Sequence, residues 1–196
     1  MNNNKIILKE GYTPIAIAVV VTLFLNIFIS DTLANIALII TIFLVIIYRN
    51  PNRSSFDITK DNVISPIDGK ISAVDIGKHN YKIYIDVNLC NTHQLRAPIS
   101  GKFKIRNLKK GLNLNSATYK AKLLNSQALL KIKDIKIKLI SGICNSDIIL
   151  YDEKDVAVGE SIGVFLNGLV IVEIPKNYKL NISIGDKVYS GITKLV

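Results

Sequence analysis

At 196 residues the chain is sized for one domain plus an appendage, and 49% of it is apolar, with a mean hydropathy of +0.32. The apolar excess lies at the N-terminus, which excludes an unusually apolar soluble globule and points to a membrane-attached protein. The net charge is +10, and the two cysteines, Cys90 and Cys144, fit no CxxC or zinc spacing; they read as buried thiols of a reducing compartment ahead of a disulfide.

In chain order, residues 1–13 form a short N-terminal arm and residues 14–48 a transmembrane helical hairpin. Pro14–Ser30 and Leu33–Tyr48 are almost wholly apolar, and Ser30-Asp31-Thr32 interrupts them. Each half is about 16–17 residues, at the short end of a bilayer span. One long helix would bury Asp31 near the bilayer centre at a cost of several kcal/mol, so two antiparallel helices with a tight polar turn fit better. Lys5 and Lys9 precede the first helix, Arg49 and Arg53 follow the second, and the turn has no basic residue. The positive-inside rule then puts both ends, and the domain that follows, on the cytoplasmic side of the inner membrane.

Residues 49–62 read as a proline-broken polar linker and residues 63–196 as a β-rich domain. The expected strands are Val63–Ile64, Gly69–Val74, Tyr81–Val87, Gly101–Ile105, Ala128–Ile132, Ile135–Ile140, Asp147–Tyr151, Val164–Leu166, Leu169–Ile174 and Lys187–Ile192, with one short helix within Asn115–Asn125. Lys131–Lys138 alternates apolar residues and lysines around Asp134, as a half-buried hairpin does. Turns recur at Pro66-Ile67-Asp68-Gly69, Pro98-Ile99-Ser100-Gly101 and Gly185-Asp186, and Asn167-Gly168 reads as a hairpin turn between two apolar strands. The expected fold is mainly β: a compact domain of short antiparallel strands with hammerhead-like turns.

Charge is concentrated in one stretch. Residues up to Tyr48 sum to zero, whereas Lys102 to Lys138 holds 11 basic residues against Asp134. Few aromatics are interleaved for base stacking, which argues against nucleic acid. An anionic membrane surface is the more economical partner for Lys102, Lys104 and Arg106, and a merely solvated lysine face is the alternative. No metal-ligand spacing is present.

Four ordered motifs carry a family resemblance over nearly the whole chain: Arg49-Asn50-Pro51-Asn52-Arg53, Ser65-Pro66-Ile67-Asp68-Gly69, His93-Gln94-Leu95-Arg96-Ala97-Pro98-Ile99-Ser100-Gly101, and Gly159-Glu160-Ser161-Ile162-Gly163 with Pro175 beyond it. The chain resembles the short, prokaryotic phosphatidylserine decarboxylases, enzymes of phosphatidylethanolamine synthesis. The resemblance implies a self-cleaving Gly-Ser whose serine becomes a pyruvoyl cofactor, assisted by an Asp–His pair at Asp68 and His93. It also implies that Arg96 and the lysine stripe hold the phospholipid headgroup, a phosphatidylserine-like ligand.

The sequence departs from that pattern at the processing site, which reads Asn167-Gly168-Leu169. The family's Ala-Arg-Arg is replaced by Asn145-Ser146-Asp147, and its acidic-polar-arginine segment by Ala117–Asn125. Three readings follow: a homologue without the cofactor, a working decarboxylase that uses an atypical residue, and a membrane-tethered structural or adaptor module. The third rests on turns similar to those of lipoyl-type domains. A lipoyl carrier usually places its lysine after a methionine, and Met1 is the only methionine in this chain.

Overall fold

The computed structural model describes residues 6–51, 53, 62–115, 118–143 and 148–196. The chain divides into two units, Met1–Asn52 and Arg53–Val196.

In the first unit, a 3-10 turn (Lys9–Gly11) leads into α1 (Tyr12–Phe28), and α2 (Asp31–Ile47) follows. Pro14 is tolerated in the first turn of α1, where a backbone N–H has no intrahelical acceptor. Ser30 is the N-cap of α2: its backbone is extended and its Oγ accepts from Thr32 N at 3.3 Å. Asp31 therefore lies inside the first turn of α2, where a carboxylate complements the helix dipole, and it also accepts from Asn26 Nδ2 at 3.3 Å. The expected Ser-Asp-Thr turn is shorter than the sequence suggests, because two of its residues belong to the helix. The helices meet along small residues. Ala34 and Thr41 are buried, and the Thr41 and Thr22 hydroxyls approach to 3.2 Å. The continuous helical run Lys9–Phe28 is long and apolar enough to cross a membrane, and Asp31–Ile47 is a shorter apolar helix of 17 residues.

The second unit is antiparallel β, as expected. Its strands are β1 (Gly69–Ile76), β2 (Asn80–Val87), β3 (Gln94–Arg96), β4 (Gly101–Lys109), β5 (Gln127–Ile132), β6 (Ile135–Ser141), β7 (Ile149–Leu150), β8 (Asp155–Val156), β9 (Ser161–Val164), β10 (Gly168–Pro175) and β11 (Lys187–Val188). A one-turn helix, α3 (Ala121–Leu124), precedes β5. Among the described residues, one sheet runs β11-β1-β2-β10-β6-β5-β4-β8 and a second runs β3-β9-β7.

Alternation along the strands assigns the two faces of the large sheet. Ile83, Ile85, Leu130, Ile137, Val170 and Val172 point to one side and form the core, together with Leu95, Ile162 and Phe165 from the smaller sheet and its following loop. The opposite face carries the charge. Lys104 pairs with Lys131, Lys131 with Lys136, Lys136 with Glu173, and Glu173 with Lys82. Glu173 offsets that row through an ion pair to Lys136 at 3.7 Å. The Lys131–Lys138 hairpin turns at Lys133-Asp134, where Lys133 takes a positive φ of 50°. Arg106 is the extra residue of a bulge in β4 and is exposed.

The strands Gln94–Arg96 and Asp155–Val156 were not expected, the expected Val164–Leu166 is Ser161–Val164, and further details differ from the sequence expectation. Val63–Ile64 is not a strand: Ile64 makes a lone bridge to Lys194. Asn167-Gly168 does not close a hairpin, because β9 belongs to the small sheet and β10 to the large one. The physical reason lies in Gly168, which enters between Val87 and Ser141 with φ 136°; a Cβ there would come within 2.2 Å of the Ile140 carbonyl oxygen. Cys90 is exposed instead of buried, and Cys144 lies outside the described residues. So do Asn145-Ser146-Asp147 and Ala117.

Candidate functional site

A cluster of buried polar side chains surrounds the start of β1, the loop before β3 and the C-terminal turn. Asp68, 3% exposed, precedes the glycine that opens β1. Its carboxylate takes a bidentate pair from Arg53: Nη2 donates to Oδ2 at 2.7 Å, and Nη1 contacts Oδ1. Ser190 N donates to the same Oδ1 at 2.7 Å. Arg53 also donates to Ser190 O at 3.0 Å and to Thr92 Oγ1 at 3.3 Å, and its guanidinium lies 5.7 Å from the centre of the Tyr189 ring. Arg53 thus joins the linker, β1, the loop before β3 and the C-terminal turn.

His93 follows Thr92 and is fully buried, not a surface histidine. Its Nε2 lies 2.9 Å from Leu89 O, and its own carbonyl accepts from Phe165 N at 2.9 Å. Arg96 on β3 is turned into the structure. It donates to Gly159 O at 2.9 Å and to Gln94 Oε1 at 2.7 Å, while Gln94 Nε2 donates to Ser161 Oγ at 2.7 Å. Burial lowers the Arg96 pKa, Arg53 lowers it further, and Asp68 opposes both, so the three charges share one field. Of the other cations expected to meet phosphate, Lys102 and Arg106 are exposed and Lys104 is half-buried on the charged face of the sheet.

Asn167-Gly168-Leu169 is tied to the end of β2 and to the residue after β6. Asn167 Nδ2 donates to Val87 O at 3.3 Å, and Asn167 O accepts from Gly142 N at 2.9 Å. Val87 stands two residues before Leu89, the partner of His93. The stretch from Val87 to His93 therefore borders both the histidine and the Asn-Gly turn, and Thr92 in it is bonded to the Arg53–Asp68 pair. Leu169, 6% exposed, pairs with Asp86 and Ile140 on the face of the sheet opposite the core.

The family profile described as phosphatidylserine decarboxylase matches residues 40–195. The chain belongs to the phosphatidylserine decarboxylase family. It is similar to the phosphatidylserine decarboxylase proenzymes of Geotalea uraniireducens (29% identical, covering 99% of this chain and 97% of the relative) and Aromatoleum aromaticum (30%, covering 100% and 98%). The proenzyme of Pelagibacter ubique is 30% identical, with 95% and 94% covered. No solved structure matches significantly. Family membership supports a role in phospholipid biosynthesis, and the bacterial relatives together with the apolar N-terminal helix fit association with a membrane.

The decarboxylase family is of the pyruvoyl-dependent type. Residues of this family member do not fit that group at the expected position. Leu169 has only an alkyl side chain, and no serine, threonine or cysteine lies between Ser161 and Ser183. Ser161 is bonded to Gln94, and Ser183 lies in a separate turn where its N–H bonds Asp186 at 2.7 Å.

Sequence reading missed Arg53 as a site residue, because its place with Arg49 just after the second apolar run made it look like a topology signal. Its position as the last residue of the Arg-Asn-Pro-Asn-Arg motif was the available clue. Thr92, Gln94 and Ser190 carry no chemical signature in sequence; only the fold makes them partners.

Proposed function

We propose that this chain is a membrane-anchored phosphatidylserine-decarboxylase homologue that serves phospholipid metabolism by holding a lipid headgroup and forms no pyruvoyl cofactor. The observation that carries the reading is the stretch Asn167-Gly168-Leu169, in which no side chain bears a hydroxyl or thiol. Asp68 and His93 are kept in the buried cluster, so the headgroup-side architecture outlasts the processing chemistry. Lys102, Lys104 and Arg106 supply cations for lipid phosphate, with Arg96 setting the shape of the β3 edge through Gln94 and Gly159.

The anchor in this reading is the α1–α2 hairpin in the inner membrane, with the β domain on the cytoplasmic side. The cap at Ser30 and the short connection support a tight polar turn on the far side. With Cys90 and Cys144 replaced by serine, the Asp31→Cys variant is labelled by an impermeant maleimide from outside the inner membrane. Labelling only from the cytoplasmic side contradicts the topology.

A second reading, an active decarboxylase using an atypical residue, is favoured by full-length similarity to relatives named as proenzymes. Purified chain mixed with phosphatidylserine in detergent separates the two. The proposed function predicts no phosphatidylethanolamine above a protein-free control. Turnover that disappears in His93→Ala would establish the second reading instead.

A further inference from the structure

Between β4 and β5 the chain shows apolar residues to solvent. Leu108, Leu112, Leu123 and Leu124 are about half exposed, and Tyr119 is 76% exposed. Lys109, Lys110, Lys120 and Lys122 stand among them, all exposed. From Val87 to Lys133 the sequence contains no aspartate or glutamate at all. Apolar residues scattered singly over a surface are ordinary, but a cluster rimmed by one sign of charge is not.

The segment is fastened to the domain, so this exposure belongs to a held shape. Asn125 is fully buried; its Nδ2 donates to Leu114 O at 2.7 Å and to Ser141 O at 2.6 Å, and its Oδ1 accepts from Leu114 N at 2.9 Å. Leu112 N donates to Leu124 O at 2.8 Å, and Lys109 Nζ reaches Leu123 O at 3.3 Å. These bonds set Leu112 beside Leu124 and Lys109 beside Leu123. Gly111 permits the close approach, since a Cβ there would lie 2.1 Å from Leu124 O. Tyr119 stands just before α3, where its carbonyl accepts from Lys122 N at 3.2 Å, and Leu123 lies within α3.

We propose that this Leu/Tyr/Lys surface docks into the interface of an anionic lipid bilayer. The proposal deepens the membrane reading above and rests on it. Leucine and tyrosine suit the boundary between headgroups and acyl chains, and lysines around them suit anionic headgroups. A second copy of the chain is a poor occupant, because two such surfaces would bring only positive charge together. Nucleic acid is equally poor, because Tyr119 is the only aromatic residue between Phe103 and Tyr151.

The chain has no tryptophan, so single tryptophans report cleanly. The full chain is reconstituted into phosphatidylcholine vesicles, with and without phosphatidylglycerol, and with brominated acyl chains as quencher. Tyr119→Trp, at a position that packs on little, is the main probe; Leu123→Trp is the second, and Ile76→Trp, exposed at the far end of β1, is the control. With phosphatidylglycerol present, the emission of Tyr119→Trp and Leu123→Trp shifts to the blue and is quenched, while that of Ile76→Trp does neither. Adding Lys120→Glu and Lys122→Glu to Tyr119→Trp removes the quenching. Equal quenching in purely neutral vesicles overturns the electrostatic part of the proposal. A blue shift without bromolipid quenching shows burial against protein and overturns the proposal as a whole. So does an unquenched probe in chain that sediments with the vesicles, an outcome that leaves the anchor intact.

Discussion

Arg53→Met destabilises the β domain by about 3–5 kcal/mol, the usual cost of leaving one member of a buried ion pair without its partner. The side chains of Arg53 and Asp68 are 12% and 4% exposed, so water cannot replace the lost guanidinium. For a domain of this size the loss corresponds to a fall in melting temperature of roughly 10 °C, measured by circular dichroism of the detergent-solubilised chain. The double change Arg53→Met with Asp68→Leu recovers much of the loss, because two apolar groups in contact need no solvation. Recovery stays incomplete, since Ser190 N loses the acceptor it holds at 2.7 Å. A single Arg53→Met melt indistinguishable from that of the unchanged chain would show that the pair is not buried as described.

Phe165→Ala has an effect of similar size, about 3–5 kcal/mol, by opening a cavity in the core. Phe165 is fully buried where the chain leaves the small sheet and crosses to the large one. Its backbone N–H also holds the His93 carbonyl at 2.9 Å, so collapse of this site moves the histidine as well as the core. Phe165→Leu retains most of the volume and loses far less. Denaturant unfolding measures the difference, and the His93 imidazole resonances report the local movement. A Phe165→Ala protein as stable as the unchanged chain would place the ring outside the core.

Much of the β domain was legible because its strands alternate or run continuously apolar. Lys136-Ile137-Lys138-Leu139 announces both its secondary structure and its buried face, whereas the continuous apolar run Leu169–Val172 announces a strand without choosing between its faces. The short strand Gln94–Arg96 was not legible. Two of its three residues, Gln94 and Arg96, are polar, and their partners, Ser161 and Gly159, lie more than sixty residues away. Asn167-Gly168 misled for the same reason: an Asn-Gly pair signals a tight turn, but only the long-range pairing of Gly168 with Val87 and Ser141 decides that the turn changes sheets. Asp68 and His93 came from motif resemblance, and the fold brings both to the neighbourhood of Thr92. What resemblance did not carry was Arg53, which binds Asp68 across fifteen positions of chain. The lysine stripe was visible in sequence as charge alone. The leucines exposed among those lysines became visible only once the bonds of Asn125 fixed their positions.

Asn167-Gly168-Leu169 decides whether this chain can process itself. Family self-processing breaks the chain immediately before a serine, and an alkyl side chain cannot attack a carbonyl or leave a ketone behind. Intact-mass measurement of the purified chain tests this most directly. The account predicts one uncleaved species at 21.7 kDa. Two fragments divided near Gly168, the smaller with a blocked keto-acyl N-terminus, would contradict it.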